Sequence, residues 1–170
     1  MTYTAVAGAA VIISCSTLFC TDIAAQIKQN ANAVNREAVY FSRLAEGLTA
    51  GGDIADVMEQ CAGELSKDNV HILFAQCIRN SDTTSLSTAW QKCIQDNCID
   101  PRLSIEGKYI TKFVDSCSGS GAEGYISAAS QVSKTAVNEY EQLSEKSKAD
   151  SKLLMYAGVC AGVLITMLLI

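Results

Sequence analysis

Cys93, Cys98 and the single histidine, His71, have the side-chain types that hold zinc. Structural zinc sites are normally built from two closely spaced ligand pairs, and no second pair accompanies this one. Cys61, Cys77 and Cys93 instead fall on the apolar stripes of expected helices, where a reduced thiol packs as a small hydrophobe. Of the eight cysteines, Cys15, Cys20 and Cys160 lie in apolar terminal runs. Cys61, Cys77, Cys93, Cys98 and Cys117 remain, an odd set and a poor disulfide framework. Gly119-Ser120-Gly121-Ala122-Glu123-Gly124 spells the dinucleotide fingerprint G-x-G-x-x-G. That motif cradles a pyrophosphate only where a strand leads into it, and here an expected helix does. We read it as a helix-to-helix loop. Nucleophilic catalysis by a thiol or hydroxyl would have to recruit His71, which reads as a surface or interface residue at the start of a short helix. No catalytic, cofactor or metal set emerges, and an enzyme is not expected.

A different kind of chemistry is available to the charged residues around Gly51-Gly52. Asp53 and Asp56 lie on one helical turn and Glu59 follows, positions at which acids complement the helix dipole. Arg43 and Glu46 lie just before the glycines, off the apolar stripe. Arg43, Glu46, Asp53, Asp56 and Glu59 are therefore the candidate ionic contacts for a protein partner.

All charged side chains, 13 basic and 18 acidic for a net charge of −5, lie between Asp22 and Lys152. Residues 2–21 and 153–170 carry none, and each run is long enough to cross a hydrocarbon core as a helix. The expected organisation is a membrane-spanning helix over 2–21, a helical domain over 22–152 and a second membrane-spanning helix over 153–170. Ile12-Ile13-Ser14-Cys15 resembles a lipoprotein cleavage box, but no basic residue precedes it, and a retained anchor is the better reading. Lys28, Arg36 and Arg43 follow the first run, while Lys146, Lys148 and Lys152 precede the second. The positive-inside bias puts the domain in the cytoplasm, with Cys61 and Cys117 on that side. Gly158 and Gly162 form a G-x-x-x-G face in the second run, and Ala5 and Ala9 a small-residue face in the first, both suited to close helix packing in lipid. The mild acidity argues against nucleic acid as a partner.

The elements between the runs read as helices throughout. Ile27, Val34, Phe41 and Leu48, joined by Ile23 and Leu44, form one stripe that continues from the first apolar run without a break. Gly51-Gly52 stops that helix, and Asp53 caps the next, which carries Ile54, Val57, Met58, Cys61, Ala62 and Leu65. Val70, Leu73, Phe74, Cys77 and Ile78 mark a third helix after the link Ser66 to Asn69. Leu86, Ala89, Trp90, Cys93 and Ile94 mark a fourth, capped by Ser85 after a polar loop. Leu86, Trp90 and Ile94 are expected to face Ile54, Met58 and Phe74. Asp100-Pro101 is expected to start a fifth, with a stripe of Leu103, Ile110, Val114 and Cys117 and Phe113 beside it. The last begins near Glu123 and carries Ile126, Ala129, Val132, Ala136, Val137, Tyr140 and Leu143. No strand is expected. The fold class is all-α, an antiparallel helical bundle flanked by N- and C-terminal transmembrane helices.

Leu44-Ala45-x-x-Leu48-x-x-Gly51-x-x-Ile54-x-x-Val57-Met58 resembles the signature of the platform-protein domain of type II secretion and type IV pilus machines. Ser85-Leu86-Ser87-x-Ala89-Trp90 is similar to the second repeat of that domain. In length and layout, including Gly158-x-x-x-Gly162-x-Leu164 before an apolar end, the whole chain resembles the stage III sporulation protein AB family of endospore-forming bacteria. It departs at Gly52-Asp53, where those proteins usually place Thr-Pro. The resemblance implies no enzymatic activity. It implies a scaffold in the mother-cell membrane around the forespore, within a channel complex linking the two cells. Its implied partners are a secretion-type ATPase of the sporulation operon (stage III sporulation protein AA), other membrane proteins of that complex, and membrane lipid. The competing expectation is a two-span membrane sensor or adaptor signalling through its cytoplasmic helical bundle.

Overall fold

A computed structural model describes residues 2–65, 70–80, 85–117 and 121–169. Side chains are described from residue 14 onward, except at 16, 17, 64, 65 and, near the C-terminus, 151, 154, 155, 162, 165, 166, 168 and 169. The link Ser66 to Asn69, most of the polar loop before Ser85, and Gly119-Ser120 of the glycine-rich loop lie outside these residues. Six α-helices are described: α1 Thr2–Thr49, α2 Ile54–Leu65, α3 Val70–Arg79, α4 Leu86–Asn97, α5 Ile105–Ser116 and α6 Ala122–Leu169. Among the described residues there is no strand, and the all-helical expectation holds.

α1 runs without a break from the first uncharged run into the charged region, as the absence of Gly or Pro at the junction requires. It ends where glycine permits. Gly51 takes a left-handed φ of 87°, its N–H donates to the Leu48 carbonyl, and the Gly52 N–H donates to Gly47. That pair of bonds is a Schellman closure, and a side chain at the left-handed position would be strained. Asp53 then caps α2 with Oδ1, accepting from the Ala55 N–H at 2.9 Å and the Asp56 N–H at 3.4 Å. Gly47 and Gly52 leave the notch into which Val57 packs; a Cβ at either would collide with the Val57 methyls.

The chain forms two compact units: Met1–Asn32 together with Tyr140–Ile170, and Ala33–Glu139. In the first, Leu18, Phe19, Leu153, Tyr156, Leu164 and Met167 are all largely exposed. Among the described residues, no helix is long and apolar enough to cross a membrane. The side chains of residues 2–13, on which the first span was expected, lie outside the description, as do those of Ala5 and Ala9. Gly158 is buried, while Gly162 lies outside the described side chains.

In the second unit α2 packs on α3, α3 on α4 and α5, and α4 on α5. Phe41 of α1 meets Phe113 of α5 with ring centroids 5.6 Å apart, and Ser133 of α6 donates to the Ala38 carbonyl of α1 at 2.9 Å. The core holds Val34, Tyr40, Phe41, Leu44, Met58, Phe74, Trp90, Cys93, Tyr109, Ile110, Phe113 and Val132.

Several expectations need correction. Trp90 does face Phe74, edge to face at 5.1 Å, but among the described residues α4 packs on α3 and α5. The element that packs on α2 is α3. Asp100-Pro101 forms a turn instead of a helix start: Asp100 accepts from the N–H groups of Arg102 and Leu103. α5 starts at Ile105, capped by Ser104, whose Oγ accepts from Gly107 at 2.9 Å. Leu103, expected in the core, is 87% exposed on that turn, and Val137 is also exposed. Ser85 occupies the cap position of α4 without a side-chain bond. His71, expected at the surface, is fully buried.

Candidate functional site

The five candidate contact residues all lie in the second unit, but the structure gives them different duties. Asp53 is a helix cap, as above. Asp56 and Glu59, on α2, are both clasped by Arg79 of α3; its Nη1 lies 2.7 Å from Glu59 and its Nη2 holds Asp56. Hydrogen bonds donated to the two carboxylates push the Arg79 pKa further up, so this cation stays charged across any accessible pH. All three side chains are substantially exposed, so solvent screens the clasp and it adds little to stability. Its effect is to cancel part of the negative potential that the two acids would offer a basic partner.

Arg43 and Glu46 are placed otherwise. They lie on α1 at the mouth of a cleft of about 380 Å³ that also takes in Gly47, Val57, Gln60 and Cys61. Glu46 accepts from the Ser42 hydroxyl at 3.4 Å and keeps an exposed carboxylate. Cys61, which lines the cleft, has its thiol pushed up by burial, with Arg43 only partly offsetting this. It therefore stays protonated and weakly nucleophilic. The arrangement presents one basic and one acidic side chain beside a small depression, which suits a protein contact.

Reading the sequence missed the polar cluster at the centre of this unit. Glu37 on α1 is 4% exposed and His71 on α3 is fully buried. The His71 Nε2 lies 3.0 Å from one Glu37 oxygen and 3.2 Å from the other. A carboxylate can only accept, so Nε2 carries the proton. The imidazole stacks on Tyr40 at 3.8 Å between centroids and meets Phe41 edge-on. The Tyr40 hydroxyl has no hydrogen-bond partner among the described residues. Burial, Cys61 and Glu37 together push its pKa well up, so it stays neutral. The signal was present: Glu37 falls one turn from Val34 and Phe41, on the inward face. A buried pair of this kind fixes how two helices register on each other.

Two further buried thiols, Cys93 and Cys117, are weakly nucleophilic. Burial, and then Cys77 nearby, push Cys93 up to about 12, and burial alone does the same to Cys117. Cys98 is exposed at the C-terminus of α4, in a left-handed conformation with φ 51°. Among the described residues, no three His, Cys, Asp or Glu side chains come together as a metal site.

The sequence family of the stage III sporulation protein AB matches residues 5–170, nearly the whole chain. The chain belongs to that family. Membership implies a sporulation-related role, and the match runs through both uncharged ends and the helical domain alike. Among curated proteins none matches the chain, and among solved structures none does.

Proposed function

We propose that this family member is a non-enzymatic membrane platform of a secretion-like channel complex between mother cell and forespore, and that its helical domain docks a cytoplasmic secretion-type ATPase. The observation that carries the reading is the pairing of chain ends. The two uncharged runs, at opposite ends of the sequence, belong to one compact unit, while most of the charged residues belong to the other, 33–139. Uncharged helical runs with Leu, Phe and Met side chains exposed suit lipid better than water. Gly158, buried on one of them, supports close packing between the two. The platform-type relationship is supported by the Leu44 to Met58 pattern, whose Gly51 ends α1 in a left-handed turn.

In this reading both spans lie in the membrane around the forespore, the termini are on the far side, and the domain faces the cytoplasm. Cys61 and Cys117 are buried and would resist labelling from either side, so Cys98 is the residue to use. A variant keeping Cys98 as its single cysteine is expected to escape a membrane-impermeant maleimide in intact cells and to react once the membrane is opened. Rapid reaction in intact cells would reverse the topology and remove a cytoplasmic ATPase from the reading.

A further inference from the structure

Residues of α4, α5 and the turn between them line an open groove of about 670 Å³. Its floor is apolar: Trp90 and Val114 are buried there, with Ile94 and Pro101 half-buried beside them. Trp90 is held in place by its Nε1–H, which donates to Thr111 Oγ1 at 3.0 Å, and Thr111 donates onward to the Gly107 carbonyl. This part of the floor is therefore fixed before anything binds. Leu103, 87% exposed, stands next to the lining residues Pro101 and Arg102. An exposed leucine beside an apolar groove is an unusual expense of hydrophobic surface unless something covers it.

The rim has the opposite sign to the chain as a whole. Arg102, Lys108 and Lys112 line it, with Asp115 the only acid among the lining residues. Glu139 of α6 binds Lys108 at 2.7 Å and Lys112 at 3.5 Å, so one carboxylate is shared between two ammonium groups. Burial works to raise the Glu139 pKa, but the bonds from Lys108 and Tyr109 outweigh it and hold the carboxyl below its usual range. Counting Glu139 and Asp115, the cations still outnumber the acids in a chain of net charge −5.

We infer that the α4–α5 groove is a docking site for an acidic amphipathic helix of a partner protein, whose apolar residues would cover Trp90, Ile94 and Leu103 while its carboxylates meet Arg102, Lys108 and Lys112. Charge complementarity selects this occupant over a basic segment, and an open groove between two helices suits a helix better than an enclosed ligand. The site is separate from the Arg43–Glu46 cleft, and it stands whether or not the partner is an ATPase.

Trp90 is the only tryptophan in the chain, so its fluorescence reports directly on the floor. The probes are two synthetic helix-forming peptides of about 16 residues with leucines at i, i+3, i+4 and i+7, one with glutamates and one with lysines at the remaining positions. They are titrated against the full-length chain in lipid nanodiscs. The glutamate peptide is expected to shift Trp90 emission saturably, to weaken as salt is raised, and to bind about fivefold less tightly to Arg102→Glu. Ile94→Arg is expected to abolish the shift, with the far-UV circular dichroism melt confirming that both variants fold. Equal binding of the two peptides, or an unchanged response from Arg102→Glu, would overturn the proposal. So would sedimentation showing self-association of the chain that Ile94→Arg removes, because a second copy would then be the occupant.

Discussion

Glu37→Ala is expected to lower the unfolding free energy of the full-length chain by about 3–5 kcal/mol, because it leaves the buried His71 facing an empty, desolvated position. The measurement is chemical denaturation followed by far-UV circular dichroism in a detergent that keeps the chain folded. His71→Ala should cost a similar amount, since it strands the carboxylate instead. The informative comparison is the double replacement Glu37→Leu with His71→Phe, which removes both buried polar groups and roughly keeps the volume. It should recover most of the loss, as buried polar pairs exchanged for well-packed apolar residues commonly do. If Glu37→Ala melted like the parent chain, Glu37 would have to be reaching water, and the pair would not be what locks α1 to α3.

Trp90→Ala should also cost about 3–5 kcal/mol, the range for emptying a large buried aromatic site. Trp90 is 4% exposed, packs edge to face on Phe74 and gives its one donor to Thr111. Trp90→Phe separates these contributions: it retains the ring contact with Phe74 and loses the hydrogen bond, so roughly 1 kcal/mol should come from the bond. An unchanged melt for Trp90→Ala would move Trp90 out of the core and into the groove alone. In that case the α4–α5 floor would be a soft surface, with no rigid wall for a partner to pack against.

What the sequence disclosed follows the range over which the responsible forces act. The end of α1 and the start of α2 were legible because Gly51, Gly52 and Asp53 make their bonds within five residues. The stripes of α2 and α4 were legible because their apolar residues outnumber the ambiguous ones. α5 was misplaced because Pro101 fits the first turn of a helix and the second position of a turn equally well. Ser104 settled the matter by capping from three residues further on. Leu103 then followed the turn outward. His71 failed for a different reason. In a helix of ten residues the apolar stripe can be rotated by one position with little change in pattern. The choice was made by Glu37, which lies 34 residues earlier. The candidate patch was only half legible for the same reason: Arg79 neutralises Asp56 and Glu59 from another helix, and nothing near them in sequence announces it.

That leaves Arg43 and Glu46 as the members of the patch with a cleft beside them, and it sharpens the test of the platform reading. The most direct measurement is binding of the secretion-type ATPase of the sporulation operon to the full-length chain in lipid nanodiscs, by titration calorimetry. The reading predicts saturable binding that the double charge reversal Arg43→Glu with Glu46→Lys weakens about tenfold, while the melting temperature of the domain stays within a few degrees of the parent. Absence of any binding to the correctly folded parent chain would contradict the account.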